Sequence, residues 1–206
     1  MIERTTLKKI NSLLEKNNNW KILDIGCGYT AHKRADYVAD AQDFSEFYKD
    51  KKKFIKIDQK KLPFKDKEFD FVIASHVIEH VEDFPFFISE LERISNQGYI
   101  ELPSRLGDNL IFENTTDHIW WFVFDDIEKK LVACKRTQSL EPFLSVASGK
   151  QLSDLFRESF VLELIWQKKI DFVINNDFDN SNFKNVNFLT IIKKYFSKRI
   201  RKLLSK

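Results

Sequence analysis

Two short stretches hold the residues best placed to do chemistry. The first is WKILDIGCGYT, Trp20 to Thr30, an apolar run that ends in Asp24 and then in two glycines around a cysteine. Glycines after a buried strand let the backbone approach a ligand closely, so the stretch could cradle a phosphate, a dinucleotide or another nucleoside cofactor. Cys27 adds a candidate nucleophile or redox group. The second stretch is His76-Val-Ile-Glu79-His80. On a helix its two histidines would share a face, in the H-x-x-E-H pattern of inverted zinc proteases. A third histidine, His118, stands immediately before Ile119-Trp120-Trp121, where a polar group beside an aromatic wall would suit a sugar. Histidine is the natural base near neutral pH, and His76, His80 and His118 are the candidates. His32 reads as solvated.

The residues themselves narrow the first stretch. A phosphate loop of the Walker type needs Lys and Ser/Thr after its last glycine, and neither is in place. Gly26-Cys-Gly28-Tyr-Thr-Ala31 fits the dinucleotide pattern G-x-G-x-x-A, with acids further on at Asp40 and Asp43. Asp24 opposes that reading. An acid two residues before the first glycine would repel a pyrophosphate and suits a ligand that carries an amino group.

The elements that must position these groups alternate. Residues 2–16 place Ile2, Leu7, Ile10, Leu13 and Leu14 at helical spacing. KILDI, DYVAD (36–40), FIKID (54–58), DFVIASHVI (70–78) and Tyr99–Leu102 read as five strands, with helices over 43–50 and Phe84–Ile94 between them. Strand-helix alternation predicts a mostly parallel sheet with crossover connections. Residues 104–119 have loop character. WWFVFDD and KKLVACKR read as an antiparallel pair, Gly149–Phe156 as a helix and VLELIWQ as a further strand. Cys134 falls in the second strand of the pair and reads as core. The strand context before His76 also speaks against the protease, whose motif lies on a helix.

In this order the motifs resemble the class I S-adenosylmethionine-dependent methyltransferases, in particular a short-crossover, type 11-like subgroup met among bacterial surface-glycan and lipid-modification enzymes. The resemblance covers about residues 20–103. It implies a doubly wound, mostly parallel α/β sheet of Rossmann-like form, with an insert after the fifth strand, and S-adenosyl-L-methionine as cofactor. By the same resemblance Asp24, Gly26, Cys27 and Gly28 sit against the cofactor, with Asp24 near its methionine end. Asp40 accepts from the ribose hydroxyls and Asp58 contacts the adenine amino group, with Gln59 beside the ring. Ser75 and the loop 76–80 lie near the sulfonium. The family position of Cys27 is commonly a cysteine without a catalytic role, which fits a small residue under the turn. Thr30 replaces the family's third glycine, and the short distance to the second strand implies a short first crossover helix. Some ubiquinone-pathway O-methyltransferases hold a divalent ion with Glu-x-x-Glu-His here. His76 takes the first place in this chain, which disfavours such an ion, so the expected site residues include no metal ligand and a divalent ion stays as the alternative.

Composition bounds the rest. The chain has 206 residues, 43% hydrophobic and 32% charged, with two cysteines and no Cys-x-x-Cys pair. This excludes a disulfide framework and favours a reducing, cytoplasmic setting. The start lacks the apolar core of a signal peptide. The net charge of +3 conceals an asymmetry: residues 180–206 carry eight Lys/Arg and no acid, which leaves −5 on residues 1–179. Within that tail Leu189, Ile192, Phe196, Ile200 and Leu203 recur at helical steps with Tyr195 beside them, so peripheral contact with an anionic membrane is expected of it. Nucleic acid is not expected, because the acidic body would oppose it. The expected organisation is a methyltransferase domain over 1–186, with an insert at about 104–139 for acceptor recognition, and a basic amphipathic tail over 187–206. The expected activity is O-methylation of a small hydroxylated acceptor such as a sugar or lipid-linked glycan intermediate. The alternatives are a non-catalytic cofactor-binding protein of the same fold and the H-x-x-E-H metallopeptidase.

Overall fold

The computed structural model describes residues 1–175 and 188–204. Lys184 and Lys206, counted in the basic tail, and the boundary at 186/187 lie outside the described residues. In chain order the first elements are β1 (Ile2–Arg4), α1 (Leu7–Lys16), β2 (Ile22–Ile25), β3 (Tyr37–Asp40), α2 (Ser45–Tyr48) and β4 (Lys53–Lys56). Then come β5 (Phe71–Ser75), a 3₁₀ turn over Ile78–His80, α3 (Phe84–Ile94) and β6 (Gln97–Pro103). The second half holds α4 (Arg105–Leu110), α5 (Asn114–Asp117), β7 (Trp120–Asp125), β8 (Lys130–Lys135), α6 (Val146–Leu155) and α7 (Arg157–Phe160). It ends with β9 (Val161–Gln167), β10 (Phe172–Ile174) and α8 (Phe188–Leu204).

All four residues of β2 are buried, as a strand covered on both faces requires. It lies inside a seven-stranded sheet of order β1-β9-β6-β5-β2-β3-β4. The pairs from β6 to β4 are parallel, while β9 runs antiparallel to β6 and β1 antiparallel to β9. Successive side chains alternate between two cores. Ile22, Val38, Phe71, Ile73 and Tyr99 pack on Ile10 and Leu14 of α1 and Tyr48 of α2. Leu23, Ile25, Val72, Ala74 and Ile100 face the other way, onto Phe84, Ile88 and Leu91 of α3 and Phe122, Phe124 and Leu131 of the β7–β8 pair. Helices thus cover both faces, and the fold is the doubly wound, mostly parallel α/β form expected.

Several local expectations change. Ile2 does not open a helix. It is a fully buried strand residue paired with Trp166, and α1 starts only after Thr6, whose hydroxyl accepts from the Lys9 amide at 3.3 Å. A residue that closes the edge of β9 gains more from pairing than from extending an exposed helix. Residues 104–119 are two short helices rather than a loop. Ser104 starts α4 by accepting from the Gly107 amide at 3.1 Å, directly after the proline that ends β6. The antiparallel pair is present as β7–β8, and β10, not foreseen, adds to β8 in parallel.

The first crossover differs most. Residues 26–36 contain no helix. Side chains replace the pairing a helix would have given these amides and carbonyls. The Tyr48 hydroxyl donates to Gly28 O at 2.8 Å and accepts from the Ala31 amide at 3.2 Å. Lys52 Nζ donates to the carbonyls of His32, Lys33 and Ala35 at 3.1, 3.2 and 2.5 Å. A helix does span 188–204, as the tail periodicity predicts, with Leu189, Phe196 and Ile200 exposed. Among the described residues no helix is long and apolar enough to cross a membrane.

Candidate active site

The parallel strands end on one edge of the sheet, where open α/β folds build their sites. There the ends of β2, β3 and β5, the segment after β4 and the start of α3 enclose a cleft of about 960 Å³. Gly26, Asp40, Gln59, His76, His80 and Phe87 are among its walls.

The glycine turn is built for close approach. Gly26 has φ +70°, and a Cβ there would fall 2.2 Å from Val77 Cγ2, so the turn lies against the loop after β5. Its amide donates to Ala39 O at 2.7 Å. Gly28, at φ +47°, points a would-be Cβ into open space, and its amide donates to Asp40 Oδ2 at 3.0 Å. The other oxygen of Asp40 accepts from the Gln42 amide at 2.9 Å. Two backbone amides therefore fix the carboxylate at the cleft wall, and its remaining lone pairs are available to a ligand hydroxyl.

Asp24 and Cys27 stand behind this surface. Asp24 is buried, is not among the cleft walls, and accepts from the His32 amide at 2.6 Å. Burial raises its carboxyl to about 7, against the opposing pull of that hydrogen bond and of Lys52. It braces the helix-free crossover rather than facing the cleft. Cys27 is buried, and burial with the nearby Asp24 charge pushes its thiol up to about 12, so it is a packing residue and no nucleophile. Cys134 is buried in the core as expected. Asp58 is exposed and outside the cleft walls, because β4 ends at Lys56, while its neighbour Gln59 lines the cleft. Ser75 closes β5 just before the wall residue His76. His32 is half-buried rather than solvated, with Nε2 2.7 Å from Asn11 Oδ1.

The three catalytic candidates occupy three different environments. His76 follows β5 with φ 54°, so H-x-x-E-H begins on a left-handed residue and a 3₁₀ turn, and the helical face a zinc protease needs is not formed. Its Nδ1 lies 3.3 Å from Glu79 Oε1 and its Nε2 3.2 Å from Glu101 Oε1. Burial opposes protonation there, but the Glu101 and Glu79 carboxylates outweigh it and raise the imidazole to about 10. A cationic ring has no lone pair for a substrate proton, so His76 is not the base at neutral pH. Glu101 is itself anchored: its Oε2 accepts from Tyr99 Oη at 2.5 Å and from Arg157. Burial works against its charge, yet His76, Tyr99 and Arg157 hold it at about 2.

His80 is exposed in the cleft, with Nδ1 2.9 Å from the Asp117 carbonyl. His118, expected beside an aromatic wall, is largely buried with Nδ1 on Asp108 Oδ1. Its ring meets that of His80 edge-on with centroids 4.6 Å apart. The tryptophans form no open sugar platform. Trp120 packs on Phe84 and donates to Val81 O at 3.1 Å, and Trp121 is buried with its Nε1 2.5 Å from Asp108 Oδ2. Both are core, as apolar positions of a covered strand should be.

Sequence reasoning missed Tyr48, Lys52, Glu101, Asp108, Arg157 and Glu163, the last of which accepts from Tyr99 Oη at 2.8 Å and lies 3.1 Å from Arg157 Nε. A signal existed for three of them: Glu101 in YIELP and Glu163 in VLELI are acids inside apolar strands, and Asp108 follows the glycine of a short capped helix. Charges placed inside buried elements have partners.

Comparison with known proteins agrees with this geometry. Residues 23–100 match the family model described as a methyltransferase domain. Among solved structures, the YcgJ protein from Bacillus subtilis is 21% identical over 45% of this chain and 50% of its own length, with a TM-score of 0.38. The PH0226 protein from Pyrococcus horikoshii OT3 is 17% identical over 79% of this chain and 89% of its own, with a TM-score of 0.46. A SAM-dependent methyltransferase from Thermotoga maritima, TM1293, is 16% identical over 73% and 83%, with a TM-score of 0.44. The chain thus spans about half the length of the first of these and most of the other two. No curated protein matches the sequence. The family match covers residues 23–100, the segment that carries the glycine turn, Asp40 and the His76–His80 loop, and over that segment the chain is similar to a methyltransferase domain.

Proposed function

We propose that the protein transfers a methyl group from S-adenosylmethionine to a hydroxyl of a small acceptor, such as a sugar or a lipid-linked glycan intermediate. The observation that carries this reading is the convergence of Gly26, Asp40, Gln59 and the His76–His80 loop on one cleft of about 960 Å³. That volume lies at the upper end of the roughly 300–1,000 Å³ of small-molecule sites and leaves room for two ligands. The donor chemistry fits the cofactor. Asp40, oriented by the Gly28 and Gln42 amides, accepts from the ribose hydroxyls. Gln59 lies beside the adenine, and Asp58 stays at the exposed rim. When bound, the cofactor supplies an electrophilic methyl group on a positively charged sulfur. The chain's own part is to align the acceptor and remove its proton. With His76 held as a cation, that task falls to His80, which lines the cleft, with the His118 ring edge-on behind it. The tail helix rests on anionic membrane surfaces, which would bring a lipid-linked acceptor to the cleft, and two buried free cysteines accord with a reducing cytoplasm.

Calorimetric titration with S-adenosylmethionine and with S-adenosylhomocysteine tests the reading. Saturable binding by the wild type that is lost in Asp40→Ala and partly kept in Asp40→Asn is expected. A folded protein that binds neither nucleoside refutes it. The helix-free crossover favours one second reading, a cofactor-binding protein without catalysis. Nucleoside binding with no methyl transfer across sugars and glycan intermediates would favour that one.

A further inference from the structure

Beside and behind His80, which lines the cleft, three groups come together that share no task in the cofactor site. A carboxylate oxygen of Glu79 and one nitrogen each of His80 and His118 lie within 4.8 Å of one another. We propose that these three residues bind a single divalent first-row transition ion, zinc or a close relative, at the acceptor side of the cleft. The sequence pattern alone gives no such set. His76, the outer histidine of H-x-x-E-H, is engaged by Glu79 and Glu101, and the third ligand comes from the start of another segment, after α5.

Each donor is prepared in the way metal ligands are. His80 directs Nδ1 to the Asp117 carbonyl at 2.9 Å, which places the ring proton there and leaves the Nε2 lone pair free for an ion. His118 directs Nδ1 to the Asp108 carboxylate, again leaving Nε2. Asp108 is fully buried and is fixed from its other side by Trp121 Nε1 and by Arg136 Nε at 2.7 Å. A carboxylate or carbonyl behind each ligating imidazole is the usual outer shell of a metal site. Glu79 supplies an independent observation. It is 0% exposed, and its Oε2 is buried with no hydrogen-bond partner. An orphaned buried carboxylate oxygen is costly in a folded protein, and a cation beside it removes that cost.

The backbone already holds the two segments together, since the Ile119 amide donates to Glu79 O at 2.8 Å. Donors around a tetrahedral ion with bonds of about 2.0–2.1 Å stand about 3.4 Å apart, so the one donor atom per residue that lies within 4.8 Å of the others needs to close by no more than about 1.4 Å. Two imidazoles and one carboxylate suit zinc, cobalt, manganese or iron, whereas magnesium and calcium prefer oxygen alone. Three protein ligands leave a position open. His80 and Asp117 line the cleft, so that position can take an oxygen of the acceptor. The ion's role toward a hydroxyl acceptor rests on the methyl-transfer reading, but its binding does not.

The test uses full-length protein freed of metal by dialysis against a chelator, titrated with Zn²⁺ and followed by visible absorption with Co²⁺. One ion per chain is expected, with affinity lower by about 100-fold or more in His80→Ala, whose ring is exposed, and in Glu79→Gln. The Co²⁺ spectrum should lose its bands in both. Absence of saturable binding by folded wild type overturns the proposal, as does stoichiometric wild-type affinity in both variants. Titration of the same sample with S-adenosylhomocysteine separates the two readings. Nucleoside binding without zinc binding sinks the metal site alone, and zinc binding without nucleoside binding sinks the methyl-transfer reading alone.

Discussion

Gly26 and Gly28 look alike in sequence, and the structure predicts that replacing them has different consequences. Gly26→Ala meets two obstacles. Its φ of +70° is left-handed, which disfavours any Cβ by about 1–2 kcal/mol. The new methyl group would also lie 2.2 Å from Val77 Cγ2, with Val77 Cγ1 and Cβ at 3.2 and 3.3 Å. Forcing extra volume into such a contact destabilises by about 1–3 kcal/mol. The sum is about 2–5 kcal/mol. Gly28→Ala, at φ +47° with nothing within 4 Å, carries only the first part, about 1–2 kcal/mol.

Val77→Ala separates the two contributions. In a double-mutant cycle with Gly26→Ala it should recover about 1–3 kcal/mol relative to the sum of the single changes, since the clash and not the torsion is relieved. The assay is urea unfolding followed by fluorescence of the four tryptophans. Val77 lines the cleft, so Gly26→Ala should also weaken S-adenosylhomocysteine binding by displacing that side chain, and Gly28→Ala should do so less. Equal losses for the two glycine variants, or a coupling energy near zero, would refute the reasoning that the turn is closed against the loop after β5.

Other outcomes follow from the charges. Asp24 titrates near 7 in the folded protein against an ordinary 3.8, so its contribution to stability is complete below about pH 4 and is lost as pH rises through 7. Asp24→Asn keeps an acceptor for the His32 amide and should be more stable than wild type at pH 8, by at most about 4 kcal/mol, with little difference at pH 4; unchanged pH dependence of unfolding in the variant would contradict this. His76, raised to about 10, should stay protonated through pH 8, so its ring proton in NMR should show no titration step near 6.5. A midpoint below 7 would restore it as a base. The full chain should co-sediment with vesicles rich in anionic lipid, should not do so with neutral vesicles, and should be released by salt. Equal binding to both would remove the membrane role of α8.

The sheet was legible where local pattern and burial agree. β2, β5 and α3 announce themselves because each buries a complete face, and the β7–β8 pair because alternation and a polar turn coincide. Ile2 was misread because a single apolar residue fits either period, and only the exposed edge of β9 decides in favour of a strand. The missing crossover helix had no local signature. Residues 26–36 form turns because Tyr48 and Lys52, which lie beyond the next strand, satisfy their backbone groups. A pairing across seventeen to twenty positions leaves no periodic trace.

The site shows the same division between what is local and what is assembled. Asp40 could be placed because it ends a strand whose neighbour carries the glycines, so its surroundings follow from topology. The three histidines could be named but not told apart, because each is defined by a carbonyl or carboxylate from another element. Glu101 on β6 and Glu79 make His76 a cation, Asp117 on α5 orients His80, and Asp108 on α4 orients His118. The sequence-level assumption was that a histidine near the methyl donor is a base. In the folded chain that assumption fails first for His76, which lies nearest the end of β5, since two acids beside an imidazole favour its protonated form. What remains able to act on an acceptor proton is the pair whose Nδ1 atoms are already committed. Commitment of Nδ1 leaves Nε2 as a defined acceptor, and two such nitrogens beside an orphaned carboxylate oxygen make a better place for an ion than for a free base.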